Sequence, residues 1–248
     1  MNRIFVSLKL ALFGTCILYA VSADAQNSKN FAESKYSIFE INLKKSKMCF
    51  VKNLCGNPGL TINGPLYYEN GNPVGGVYHS LTKKWDPAIV KPETSIMKEG
   101  ILGNNNFNLF GLSGVFIIYR GDSCVIKSTE QFIEEDYGKE DKNGITRAFQ
   151  NGPMLIQNGK IPTNIEKAKG ARYSRVVIGY NKPGSELIVV YVYDDVTMSE
   201  LAKYLQNQGI KNALYLDGAV TGFSYGGKCE GDIPSNAYKL NFINAKQK

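Results

Sequence analysis

An aspartate, two arginines and two asparagine–glycine steps are the residues of this chain whose types and spacing suit chemistry. Asp217 closes a short apolar run, residues 213–216, and Gly218 follows at once. A strand that delivers a carboxylate into a glycine-containing loop is a common way to build a site, because glycine lets the backbone turn tightly or approach a ligand. Arg172 and Arg175 stand in Arg172-Tyr173-Ser174-Arg175. Their planar guanidinium forks match phosphate or carboxylate. Asn63-Gly64 and Asn151-Gly152 each run on into proline with apolar residues on both sides. A buried asparagine must find partners, and a polar pocket floor built from several loops would supply them. Plainer readings exist for each: Asp-Gly is ordinary turn vocabulary, and the arginines also suit a solvated surface. Asn70-Gly71 and Asn158-Gly159 read as hairpin turns. Other chemistries find little support. No G-x-S-x-G elbow occurs, no C-x-x-C occurs, and the single histidine, His79, makes a zinc site a poor reading.

The elements that must position these residues follow from periodicity. Residues 175–180 and 187–193 read as strands joined through Lys182-Pro183-Gly184-Ser185, the second apolar on both faces and so expected at the centre of a sheet. Thr197-Met198-Ser199-Glu200 is a capping box, and Met198, Leu201, Ala202 and Leu205 repeat at helical spacing up to Gly209. With the strand 213–216 this predicts a βαβ unit with a right-handed crossover, leaving Asp217 at the carboxyl end of a parallel strand. Upstream, residues 36–43 alternate like an edge strand, and 114–120 and 123–127 form a hairpin. Ser128 opens a short helix. Residues 85–106 are irregular and end in Asn104-Asn105-Asn106, which suits a lid or a binding surface. The expected fold is α+β: one strand-rich domain with a mixed twisted sheet flanked by a few helices.

The chain of 248 residues is 43% hydrophobic and 21% charged, a globular composition without a break that would divide it. Residues 1–25 differ. Arg3 and Lys9 precede an apolar run, 10–21, and Ala23-Asp24-Ala25 completes a secretory signal peptide cleaved after Ala25. Lipidation at Cys16 is the lesser alternative. The run is too short for a comfortable membrane span, so the mature domain, 26–248, is expected in the periplasm or outside the cell, with no stable span after cleavage. The formal charge is +7, and loss of 1–25 leaves +6. That balance favours anionic partners such as phosphate-bearing glycans or membrane surfaces. No aromatic-and-basic pattern of the nucleic-acid-binding kind is present. Cys49, Cys55, Cys124 and Cys229 remain, and an even count in an oxidising compartment predicts two disulfides with three connectivities. Cys49–Cys55 and Cys124–Cys229 are the expected pairs.

Five segments, INGPLYYENGNPVGGVY, NNFNLFGLSGVF, QNGPMLIQNGKI, ARYSRVVIGY and NALYLDGAVTG, stand in the order and rough spacing of the phosphodiester glycosidase family. The resemblance covers about residues 60–225. Ala219-Val220-Thr221 and Pro65 depart from the common pattern and bear on the substrate. The resemblance implies cleavage of the bond between a sugar's anomeric carbon and a phosphodiester oxygen, in a phosphorylated or phosphodiester-linked carbohydrate. Asp217, Arg175 and Asn63 would be catalytic. Arg172, Asn151, Gly152, Gly64, Gly218, Thr221 and Asn106 would hold substrate. A second carboxylate is expected among Glu69, Glu93, Asp194 and Asp195. No cofactor is implied with certainty, and a divalent cation is compatible with the set. A secreted glycan-binding protein without turnover is the alternative on the same fold.

Overall fold

The computed structural model describes residues 36–51, 53–64, 67–68, 72–73, 77–79, 84–85, 113–167, 172–217, 221–231, 233 and 239–248. At Asp217 and between 67 and 85 the description is of the backbone. The expected signal peptide and most of the irregular segment 85–106 lie outside these residues. The first half of the chain contributes β1 (Tyr36–Asn42), β2 (Met48–Val51), β3 (Leu60–Asn63), β4 (Tyr67–Tyr68), β5 (Asn72–Pro73), β6 (Val77–His79), β7 (Lys84–Trp85), β8 (Gly114–Tyr119) and β9 (Cys124–Ser128). Next come helix α1 (Thr129–Glu135), β10 (Ile145–Asn151), β11 (Met154–Ile156), α2 (Thr163–Glu166), β12 (Tyr173–Tyr180) and β13 (Glu186–Val196). The chain ends with α3 (Met198–Asn207), β14 (Asn212–Asp217), β15 (Gly222–Tyr225), β16 (Lys228–Gly231), β17 (Lys239–Phe242) and β18 (Lys246–Gln247).

The strands form a six-stranded sheet in the order β11-β14-β12-β13-β1-β18, two five-stranded sheets, β7-β6-β10-β8-β9 and β16-β15-β3-β17-β2, and the small pair β4-β5. Their sequences show why. β8 is apolar on both faces, and successive residues of a strand point to opposite sides. Phe116 and Ile118 therefore enter the main core, while Val115 and Ile117 face a second cluster with Phe132 of α1. The main core draws Phe39 and Ile41 from β1, Ile62 from β3, Phe149 from β10, Leu214 from β14 and Phe242 from β17. All three larger sheets therefore close over the same apolar mass, and each such buried side chain contributes about 1.5–3 kcal/mol. Both expected caps form: Ser128 accepts from Gln131 N–H, and Thr197 with Glu200 makes the reciprocal box at α3.

Three expectations are corrected. The six-stranded sheet is not mixed: its described pairings are antiparallel. β13 and β14 both pair with β12, so the β13–α3–β14 connection crosses over a strand that lies between them. Sequence spacing shows the crossover but not the strand inserted into it. β1 is flanked by β13 and β18 rather than standing at an edge; the last residues of the chain return to cover it. The disulfide joins Cys55 to Cys229, with Cα atoms 5.6 Å apart across 174 residues. Cys49 lies in β2 opposite Asn241, and the Cys124 thiol donates to the Gly184 carbonyl at 2.8 Å. The partners expected for them are held elsewhere by the sheets.

Buried asparagines join the sheets where strands end. Asn151, the last residue of β10, is fully buried. Its Nδ2 donates to the Gly64 carbonyl, just past β3, and to the Leu216 carbonyl in β14, both at 3.1 Å. Its Oδ1 accepts from Gly152 N–H at 2.9 Å. One side chain thus ties an element of each larger sheet. Asn63 and Asn241 make ties within the β16-β15-β3-β17-β2 sheet: Asn63 accepts from Gly222 N–H at 2.9 Å, and Asn241 reaches the Pro58 carbonyl and Thr61 Oγ1.

Asn151→Ala leaves two carbonyls and an N–H without their partner, at about 1–3 kcal/mol for each group that stays dry; urea unfolding should show a loss of about 2–4 kcal/mol. A non-reducing peptide map should contain a Cys55–Cys229 link. Burial pushes the Cys124 thiol up to about 12 despite its bond to Gly184, so iodoacetamide at pH 8 should leave Cys124 unmodified until the protein is unfolded. Ready native labelling of Cys124 would contradict its placement.

Candidate active site

The strand ends meet at one end of the six-stranded sheet. β14 finishes at Asp217, whose Cα lies opposite Val176 of β12. Val176 follows Arg175 directly, so the aspartate's backbone is one residue across from the arginine. Asn151, Gly64, Asn63 and the start of β15 come to the same end through the bonds described above. The four chain segments singled out by their residue types are therefore neighbours, although they are spread over more than 150 positions.

Arg175 is 2% exposed. Its Nε donates to the Val196 carbonyl at 2.6 Å and its Nη1 to the Tyr215 hydroxyl at 2.9 Å. The guanidinium also stands 5.4 Å from the Tyr215 ring centre and 5.7 Å from that of Tyr173. A buried charge is costly unless it is hydrogen-bonded, and ring faces lower the cost further. The result is a fixed positive charge beneath the ends of β12 and β14. Arg172 is placed differently. It is exposed, with Nη1 on the Glu200 carboxylate at 3.0 Å and Nε on the Asp195 carbonyl at 3.1 Å. Burial opposes the charge on Glu200, but Thr197 N–H and Arg172 outweigh it and hold that carboxyl below its usual range. The two arginines read as a pair in the sequence are thus separated, one serving the core and one the mouth of α3.

The remaining expected residues divide between buried scaffold and undescribed positions. Thr221 Oγ1 donates to the Ser174 carbonyl at 3.2 Å, which locks the segment after Asp217 to the start of β12. Gly152 and Gly64 act through the backbone groups that hold Asn151. Gly218, Asn106, Glu69 and Glu93 lie outside the described residues. Asp194 and Asp195 are both exposed near the end of β13.

Beside Ser174 and Thr221 opens a cleft of about 380 Å³ lined by Tyr173, Tyr191, Tyr193, Asp195 and Glu230. Among the described residues, Tyr173 is a large side chain left open, at 45% exposure. Burial first, then the Glu230 carboxylate and Tyr193, pushes the Tyr191 phenol up to about 12, so Tyr191 remains an O–H donor at any ordinary pH. Two carboxylates at a cleft of tyrosines suit a neutral polyol: rings pack on its C–H faces, and carboxylates accept from its hydroxyls. They do not suit a phosphate. Sequence reasoning missed the tyrosines and Glu230. Tyr191 and Tyr193 carried a signal, since alternate strand positions share a face. Glu230 carried none, because it arrives through the β15–β16 hairpin. Among the described residues, no cluster of three or more His, Cys, Asp or Glu side chains could hold a metal ion.

The phosphodiester glycosidase family matches residues 61–237. No curated protein matches the chain. Among solved structures, the catalytic domain of zebrafish N-acetylglucosamine-1-phosphodiester alpha-N-acetylglucosaminidase, auto-inhibited by its pro-peptide, is similar with a TM-score of 0.50 at 15% identity, over 83% of this chain and 71% of that one. A hypothetical protein from Synechocystis aligns at 13% identity and TM-score 0.44, over 84% of this chain and 58% of that one. A protein of Burkholderia pseudomallei K96243 aligns at 11% identity and TM-score 0.32, over 84% of this chain and 53% of that one. The zebrafish likeness carries the fold, and the match over 61–237 covers more than half of the sequence: the chain belongs to the phosphodiester glycosidase family.

Proposed function

We propose that the protein is an exported hydrolase that cleaves a sugar-1-phosphodiester at the glycosidic C–O bond, in an envelope or extracellular glycan. The observation that carries this reading is the meeting of Asp217, Arg175, Asn63 and Asn151 at one sheet end within the matched span. The chemistry balances simply. The bond from anomeric carbon to phosphodiester oxygen breaks with its electron pair on oxygen, water supplies hydroxide to carbon and its remaining proton to the departing phosphate, and the products are a free sugar and a phosphate monoester. Because that phosphate is a weak base, protonating the leaving group matters less than in ordinary glycoside hydrolysis. Charge stabilisation and a carboxylate for the anomeric centre matter more.

Asp217 is the carboxylate assigned to the anomeric centre and its attacking water. Arg175, too buried for a solvent-facing clamp, is a positioning residue. It holds Tyr215 and the end of β13, and it supplies a fixed positive field behind the phosphate. Direct phosphate contact falls to Arg172, whose present ion pair is exposed and worth about 0–1 kcal/mol, so it can be exchanged. The tyrosine cleft takes the sugar ring, with Asp195 and Glu230 toward its hydroxyls and the phosphate turned away from them. Export is supported by the N-terminal pattern and by the disulfide. No described helix is long and apolar enough to cross a membrane.

Wild-type protein incubated with a panel of sugar-1-phosphodiesters should release free sugar and phosphate monoester. Asp217→Asn should lose about 10²–10⁴-fold in kcat, and an undiminished rate would sink the assignment. Tyr173→Ala should raise KM by about 3- to 10-fold, the worth of one ring contact, with kcat little changed. A sugar phosphate plus free alcohol as products would instead mean attack at phosphorus.

A further inference from the structure

A second cleft, of about 350 Å³, lies between the loop after β1 and the β8 and β10 strands, with Lys44, Lys45, Lys47 and Arg147 on its wall and Asp122 as its carboxylate. It sits away from the candidate active site. β1 pairs with β13 from Tyr36 opposite Val192 to Asn42 opposite Glu186, and Arg175 lies opposite the same Val192. At about 3.3 Å per residue, the loop is about 20 Å along the sheet from the Arg175 row.

The lysines are held on a braced loop. Leu43 N–H donates to Ser185 at 2.7 Å, and Lys45 and Ser46 N–H both donate to the Asn42 carbonyl at 2.9 and 2.8 Å. Lys44 N–H donates to Asn42 Oδ1 at 3.0 Å. Ile243 N–H reaches the Lys47 carbonyl at 3.2 Å, and Ser46 Oγ accepts from Asn244 N–H at 3.3 Å. Arg147 is fixed through Nη1 on the Met48 carbonyl at 2.7 Å. Among the described residues, no ion pair engages any of the four cations. Four cations against one carboxylate leave three uncompensated positive charges around a concave wall, where fields from like charges add.

We infer that this cleft is an anion-binding exosite for a polymeric phosphodiester glycan, engaging phosphates of the chain other than the one being cleaved. Each diester phosphate carries one negative charge, so three net positive charges ask for more than one such group in the ligand. The identity of the polymer rests on the function proposed above; the anion binding rests on the cleft alone.

The test compares wild type with the triple variant Lys44→Gln, Lys45→Gln, Lys47→Gln, all at exposed positions. Calorimetric binding is measured with a soluble poly(sugar-1-phosphate), and kcat/KM with that polymer and with the single methyl phosphodiester of the same sugar. The variant should bind the polymer at least about tenfold more weakly, wild-type affinity should fall steeply between low and physiological salt, and turnover of the single diester should be unchanged. Equal polymer binding by both proteins, or none by either, overturns the inference. So does charge-dependent binding to anionic phospholipid vesicles without polymer binding, which would make the patch a membrane contact. If neither protein hydrolyses any diester, the function proposed above fails while the binding comparison still decides this one.

Discussion

The arrangement depends on Asn151. A side-chain amide can donate twice and accept once or more, and here it donates to two remote chain segments and accepts from its own neighbour, Gly152. Hydrophobic burial brings the three sheets together, but it is non-directional and sets no register between strand ends. The amide does. It joins the end of β10 to Gly64, just past β3, and to the penultimate residue of β14, at a fully buried position. Asp217 follows Leu216 immediately, so the backbone carrying the candidate carboxylate is set by the same bonds. Asn63, through Gly222, fixes the other side of that loop.

Much of this was legible in the residues because local signals and the final packing agree. The Ser128 cap and the Thr197 capping box, the β8–β9 and β12–β13 hairpins and the buried β13 all follow from short-range pattern. Asn-Gly-Pro between apolar residues pointed to buried amides needing partners, and the structure supplies those partners for Asn63 and Asn151. What was not legible is non-local. Nothing in the spacing of β13, α3 and β14 shows that β12 inserts between the two strands. The return of β18 onto β1, which moves the sheet edge from β1 to the short β18, is a pairing of residues about 200 positions apart. Cysteine pairing also went the other way, because proximity in sequence favoured Cys49 with Cys55 while the sheets brought Cys55 to Cys229.

The arginines show how one residue type acquires two uses. Arg172 and Arg175 are three positions apart. Arg175 enters the core as strand β12 begins and is stabilised by a carbonyl, a hydroxyl and two rings. Arg172 remains on the surface beside the first turn of α3. A buried guanidinium is an expensive component for a fold to carry, and under the proposed function its place behind the start of β12 and the end of β14 would supply positive potential to a departing phosphate. The tyrosine cleft with its two carboxylates lies alongside, and under the proposed function it would take the uncharged sugar while the phosphate turns toward the arginines.

The most direct test of this account is to run the hydrolysis in ¹⁸O-enriched water and locate the label by mass spectrometry. Attack at the anomeric carbon, as proposed for Asp217 and Arg175, places the heavy oxygen in the released sugar and leaves the phosphate monoester unlabelled. Label in the phosphate would mean that water attacks phosphorus, and the assignment of these residues to glycosidic cleavage would be wrong.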